Sequence, residues 1–180
     1  YELEMGLPDG YQVDLYQVQH KDGRQGSLHP DESGIEIDKL LAKWGVIPGN
    51  PTLHAGYAVI DGGYDHLEAG ILLGGNMGER MFWGSNLMLE SETGGQREHD
   101  WTATGAVGYS VSDRLTVGIE GQLEYSDLAG TRSHYQTQVQ IGPALQLRPS
   151  ARIHINAELQ LGLDENAPAA VYTVIVGCAF

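Results

Sequence analysis

A single cysteine, Cys178, is all that the 180 residues offer for disulfides or thiolate ligands. That excludes an internal disulfide framework and any cysteine-based metal site. Positive charge is scarce too: Lys and Arg number 10 against 24 Asp and Glu, giving a formal net charge of -14. Such a chain is repelled by nucleic acid and by anionic lipid surfaces, so no nucleic-acid partner is expected. No apolar run approaches the ~20 residues that a spanning helix needs, which excludes membrane-spanning helices. The sequence starts at Tyr1 without an initiator Met or signal peptide, inside a strand-like pattern, and is expected to be a processed or truncated product.

Glycine and alternation are what the sequence has in quantity. The 25 glycines are about twice the usual ~7%, with no collagen period. Ile153, Ile155, Ala157, Leu159 and Leu161 alternate with His154, Asn156, Glu158, Gln160 and Gly162. Tyr135, Thr137, Val139, Ile141, Leu145 and Leu147 alternate in the same way with Gln136, Gln138, Gln140, Gly142, Ala144 and Gln146. Leu115 to Tyr125 and Trp101 to Tyr109 repeat the pattern, and weaker versions cover about 1–7, 11–19, 34–44, 52–60, 66–73 and 81–91. The last stretch, VYTVIVGCAF, places Tyr172, Val174, Val176, Cys178 and Phe180 on one side. Period two throughout predicts an all-β chain of about eleven strands, each near the ~9–11 residues of a membrane-spanning strand. Pro143 predicts a bulge within its strand, and IDKLLAKW is compatible with a short helix.

Alternation alone leaves open which face meets water. A soluble sandwich would expose the polar face and guard its strands with Lys. Here that face carries Gln, Glu, Asn, Thr and Gly; only Lys39 and Lys43 are expected within a strand. Lys21, Arg24, Arg80, Arg97, Arg114, Arg132, Arg148 and Arg152 fall in or beside turns. Short links (LPDG, GGNMGER, SDR, RPSAR) alternate with longer ones (KDGRQGSLHPDES, DGGYDH, TGGQREHD, SDLAGTRSH, DENAPA), GVIPGNP being long for the short set. Outer-membrane barrels have this asymmetry of rims.

A final strand with outward aromatic and aliphatic residues and a terminal Phe resembles the assembly signal of bacterial outer-membrane β-barrels. That resemblance names Tyr172, Val174, Val176 and Phe180 as the signal, with the barrel-assembly machinery and outer-membrane lipids as partners. ELEMGLPDGYQVDLY and AKWGVIPGNPTLHAGY are similar to segments of little-characterised proteobacterial barrels labelled as transporters or porin-like. The implied fold is a transmembrane antiparallel up-and-down β-barrel, one domain spanning 1–180, in the outer membrane. Single-chain barrels generally have an even strand count, so eleven visible strands imply a parent of about twelve lacking its first.

On that fold Glu2, Glu4, Asp14, Glu36, Asp38, Glu68, Glu90, Glu120, Glu124 and Glu158 project into the lumen. Such a wall favours cations, and the expected function is passage of small neutral or cationic solutes. The alternative is a non-conducting barrel that anchors or encloses a partner, or a subunit of a larger assembly. His20, His29, His66, His99 and His134 fall by the outer loops near acids; His66, His99 and His134 are candidate metal ligands or pH-sensitive groups. Ser85, His54 and Asn86 supply hydrolase residue types without a linking motif; His54 and Asn86 read better as lumen polar groups. No enzymatic activity and no cofactor are expected.

Overall fold

The computed structural model describes residues 1–21, 27–95, 98–127 and 135–180. Eleven strands follow one another: β1 (Glu2–Leu7), β2 (Tyr11–Lys21), β3 (Leu28–Leu40), β4 (Thr52–Ile60), β5 (His66–Asn76) and β6 (Met81–Glu92), then β7 (His99–Ser112), β8 (Leu115–Asp127), β9 (Tyr135–Leu147), β10 (Ile153–Gly162) and β11 (Ala170–Cys178). They form one sheet in sequence order, each strand antiparallel to the next. This is an up-and-down meander. Among the described residues the only helical turn is Pro8–Gly10, and no helix is long and apolar enough to cross a membrane.

Burial runs opposite to that of a water-soluble fold. Among the described residues one hydrophobic residue, Ala58, is buried, against the polar Asp14, Ser126, Gln140 and Gln160. The apolar partners in the alternation, including Leu53, Leu67, Leu87, Ile119, Leu123, Ile141 and Val174, are exposed. Within the register bounded by shifts at Val18/Gln19 and Ser110/Ser112, even-numbered residues of β1–β10 line the inner, largely polar face, and odd-numbered residues form the largely apolar outer one. On β7 the outer face reads Trp101, Ala103, Gly105, Val107, Tyr109, with aromatic rings at both ends. Those rings are eight residue steps apart, about 26 Å along a strand, which matches the ~25 Å apolar band between aromatic girdles of outer-membrane barrels. Tyr125 and Tyr135 extend the loop-side girdle, stacked with centroids 4.7 Å apart.

Turn chemistry fixes the rims. Asp9 (φ 61°) and Gly10 (φ 76°) close the β1–β2 link in left-handed backbone conformations that suit Asp and Gly. Between β7 and β8, Ser112 Oγ accepts hydrogen bonds from the Arg114 and Leu115 amides at 3.3 and 3.2 Å. Between β10 and β11, Asp164 Oδ1 accepts from Asn166 and Ala167, each at 3.0 Å, while its Oδ2 accepts from the Val139 amide at 2.6 Å. That loop is thereby tied back to β9. The long β3–β4 link is likewise anchored to β5: Asn50 Nδ2 donates to Gly74 O and the Gly74 amide to Gly49 O, both at 2.8 Å.

Four local expectations change. IDKLLAKW is not helical: β3 runs through Leu40 and then turns, which leaves Lys43 in the link rather than in a strand. Lys39 lies 3.9 Å over the Tyr11 ring on the outer face. Leu28 to Glu32, expected in an outer loop, extend β3: Glu32 pairs with Val18, and Leu28, His29 and Pro30 pair with β2 beyond a register shift at Val18/Gln19. Pro143 makes no bulge. It keeps its register opposite Ile119, and the β9–β10 ladder simply lapses at Gly142 and Pro143. Proline has no amide to donate there, and Gly142 lets the Leu159 carbonyl approach where a side chain would stand.

Candidate functional site

Antiparallel pairing sets acidic residues opposite one another on the inner face. Glu4 pairs with Asp14, Asp14 with Glu36, Glu36 with Gly56, Gly56 with Glu68, Glu68 with Glu90, and Glu90 with Asp100. Seven consecutive strands thus carry one register row, all carboxylates except a single glycine. Like charges directly opposite destabilise a sheet, so this row opposes folding stability and calls for a functional explanation. Ser126 continues the row on β8, and its Oγ donates to Glu124 Oε1 at 3.2 Å.

The neighbouring row is polar and mixed: Gln12, Asp38, His54, Gly70, Met88, Thr102, Glu124 and Gln138. The two rows meet at His54. Its Nδ1 lies 2.8 Å from Asp38 Oδ1 and its Nε2 lies 3.6 Å from Glu68 Oε2. Glu36, His54 and Glu68 offer ligand atoms within 4.8 Å of one another, and so do Glu2, Asp14 and Glu36. Gln12 Nε2 donates to both Asp14 oxygens at 3.0 and 2.9 Å. Tyr16 OH donates to Glu32.

Farther along the sheet a cavity of about 930 Å³ opens on the inner face of β6–β11, lined by Glu120, Glu158, Gln146 and Asn156. Arg80, Arg114 and Arg148 border it at the short-link rim. The inner face is therefore rich in acids over β1–β7, with His54 and His66 among them, and mixed in charge at this rim.

All ten acids expected inside lie at inner-face register positions, but not at one place. Glu4, Asp14, Glu36, Glu68 and Glu90 share the carboxylate row, Asp38 and Glu124 the neighbouring row, Glu2 adjoins Asp14, and Glu120 and Glu158 line the cavity. Asp100 and Glu32 join the inner face although their segments read as loops; extending the alternation upstream of Trp101 and Ile35 would have found them. His66 Nδ1 lies 2.8 Å from Glu90 Oε1 on the inner face, whereas His99 occupies an odd, outer-face position. His20 and His29 face each other across β2 and β3 with ring centroids 5.7 Å apart. His134 lies outside the described residues. Ser85 sits on the opposite face from His54 and donates to Thr104 O at 2.8 Å, so the two do not form a nucleophile–base pair. Tyr172, Val174, Val176 and Phe180 are all exposed on the outer side, Phe180 just beyond the end of β11.

A family model described as "Putative MetA-pathway of phenol degradation" matches residues 66–171. The chain belongs to that family. It is similar to a solved porin structure, that of the NanC porin, with a TM-score of 0.75 and 11% identity. The likeness covers 99% of this chain and 91% of that one. No curated protein matches the chain. The fold is thus that of a porin-like outer-membrane β-barrel, which accounts for the apolar outer face as its lipid-facing surface.

Proposed function

We propose that this barrel is a channel that passes small neutral or cationic solutes across the outer membrane. The observation that carries this reading is the carboxylate row from Glu4 to Asp100 on the inner face. With that face taken as the lumen, the row forms a belt that attracts cations and repels anions. The family description names phenol degradation, and a phenol, uncharged at neutral pH, falls within the neutral half of this solute class. A strand pairing with the open edges of both β1 and β11 would close the wall at twelve, since an unpaired edge is not tolerated in lipid. The likeness to a porin fold supports reading the protein as a conduit.

The competing reading is a filled barrel that anchors or encloses a partner. It draws support from inward hydrogen bonds such as Gln146 Nε2 to Asn156 Oδ1 at 3.0 Å. Planar-bilayer recording of the purified barrel separates the two. Discrete conductance steps support the channel; a silent bilayer with correctly inserted protein supports the filled barrel.

A further inference from the structure

The site where the two inner rows meet has the features of a metal-binding centre. The His54 side chain is only 7% exposed, and its Nε2 is buried without a hydrogen-bond partner. Nδ1 is held by its register partner Asp38 at 2.8 Å. An ionised carboxylate only accepts, so Nδ1 donates, and in neutral imidazole the lone pair is then on Nε2. That lone pair is directed at the Glu68 carboxylate, another acceptor, 3.6 Å away. Two acceptors facing each other at this distance need a cation or a proton between them. Ligand atoms each ~2.0–2.2 Å from a tetrahedral metal stand about 3.3–3.6 Å apart, and His54 Nε2 and Glu68 Oε2 are 3.6 Å apart.

Glycine at position 56 makes the third ligand possible. Glu36 and Glu68 flank Gly56 in register, and a Cβ there would stand 3.3 Å from Glu68 Oε2 and 3.4 Å from Glu36 Cγ. Both carboxylates lean over that gap, and Glu36, His54 and Glu68 each bring one ligand atom within 4.8 Å of the other two.

We propose that Glu36, His54 and Glu68 bind a divalent transition-metal ion of the zinc class, with Asp38 as the positioning residue that fixes the His54 tautomer. One imidazole nitrogen with two carboxylates suits Zn²⁺ or Co²⁺, whereas Mg²⁺ and Ca²⁺ favour all-oxygen shells of six or more ligands. A carboxylate–histidine–metal relay is the usual second-shell arrangement of such sites. The site is distinct from the loop histidines and does not depend on the barrel conducting.

The test is titration of the detergent-folded barrel with Co²⁺, followed by its visible d–d absorption and by displacement with Zn²⁺. The expected result is one saturable equivalent, displaced by Zn²⁺ and not by an equal concentration of Mg²⁺. Asp38→Asn should weaken binding by about 10–100-fold, His54→Gln should weaken it further, and His66→Ala should leave it unchanged. If His54→Gln fails to give the heat-modifiable folded band, Glu68→Gln, which preserves side-chain shape, is read in its place. Absence of saturable binding to the wild type overturns the proposal. So does binding undiminished in the folded His54→Gln or Glu68→Gln barrel, because the buried imidazole is then protonated and ion-paired between Asp38 and Glu68. Because the readout is absorption, a barrel that binds Co²⁺ without conducting would contradict the channel and leave this site standing.

Discussion

Gln140 and Ile141 are adjacent in β9, yet Gln140 is 7% exposed and Ile141 is 43% exposed. Ile141 pairs with Gly121, which pairs with Gly105, midway between the Trp101 and Tyr109 girdles. Ile141→Lys therefore places a charge near the bilayer midplane and should cost about 2–4 kcal/mol of folding stability, while Val111→Lys beyond the girdle should cost about 0–1. Denaturant unfolding of barrels in lipid vesicles measures both. Equal and negligible effects would mean that the outer face meets water.

Removing Phe180, or replacing it with Asp, should impair insertion far more than Thr137→Asp. Thr137 is held within the sheet by its pairing with Tyr125 of β8, whereas Phe180 is fully exposed beside β11, whose Tyr172, Val174 and Val176 form an uninterrupted outward row. Heat-modifiable gel mobility of the membrane fraction reports folding. An unaltered folded band from the Phe180 variant would remove this residue from the assembly signal.

Two glycines should respond in opposite directions. A Cβ at Gly142 would overlap the Leu159 carbonyl of β10. Gly142→Ala should therefore force β9 and β10 apart at a cost of about 1–3 kcal/mol. Gly105 on the outer face of β7 has nothing within 4 Å of such an atom, and Gly105→Ala should stabilise by roughly 0.5–1 kcal/mol through reduced backbone freedom. Urea midpoints of the two variants check the contrast.

The faces of the strands were legible because period two is a local property: Leu145, Ile119 and Leu161 announce themselves against Ala144, Glu120 and Gln160. Strand length was less so. Pro30 and the acids around it read as a loop, although Pro30 lies in β3 and pairs with Gln19 of β2. Register was not legible at all. Nothing in the spacing of Asp14, Glu36, Glu68, Glu90 and Asp100 says that they fall opposite one another, because each offset depends on how many residues the intervening turn absorbs. His54 was placed correctly as an inner polar group, but Asp38, Glu36 and Glu68 surround it only through two such offsets. Pro143 misled because a proline can be absorbed by a lapse in one ladder without an extra residue.

The charge of the carboxylate row should control permeation. Salt screens fixed charge of this kind, so cation preference should decline as ionic strength is raised at a fixed concentration ratio and return on dilution.

The most direct test of the account is the reversal potential of single channels in a salt gradient, compared between the wild type and a folded variant with Glu4, Glu36, Glu68 and Glu90 of the carboxylate row all changed to Gln. Gln keeps size and polarity, so the fold should persist while the cation-selective potential of the wild type collapses toward zero. A wild-type barrel without cation selectivity, or a Gln variant with the same reversal potential as the wild type, would contradict the assignment of these acids to an open, charge-selecting lumen.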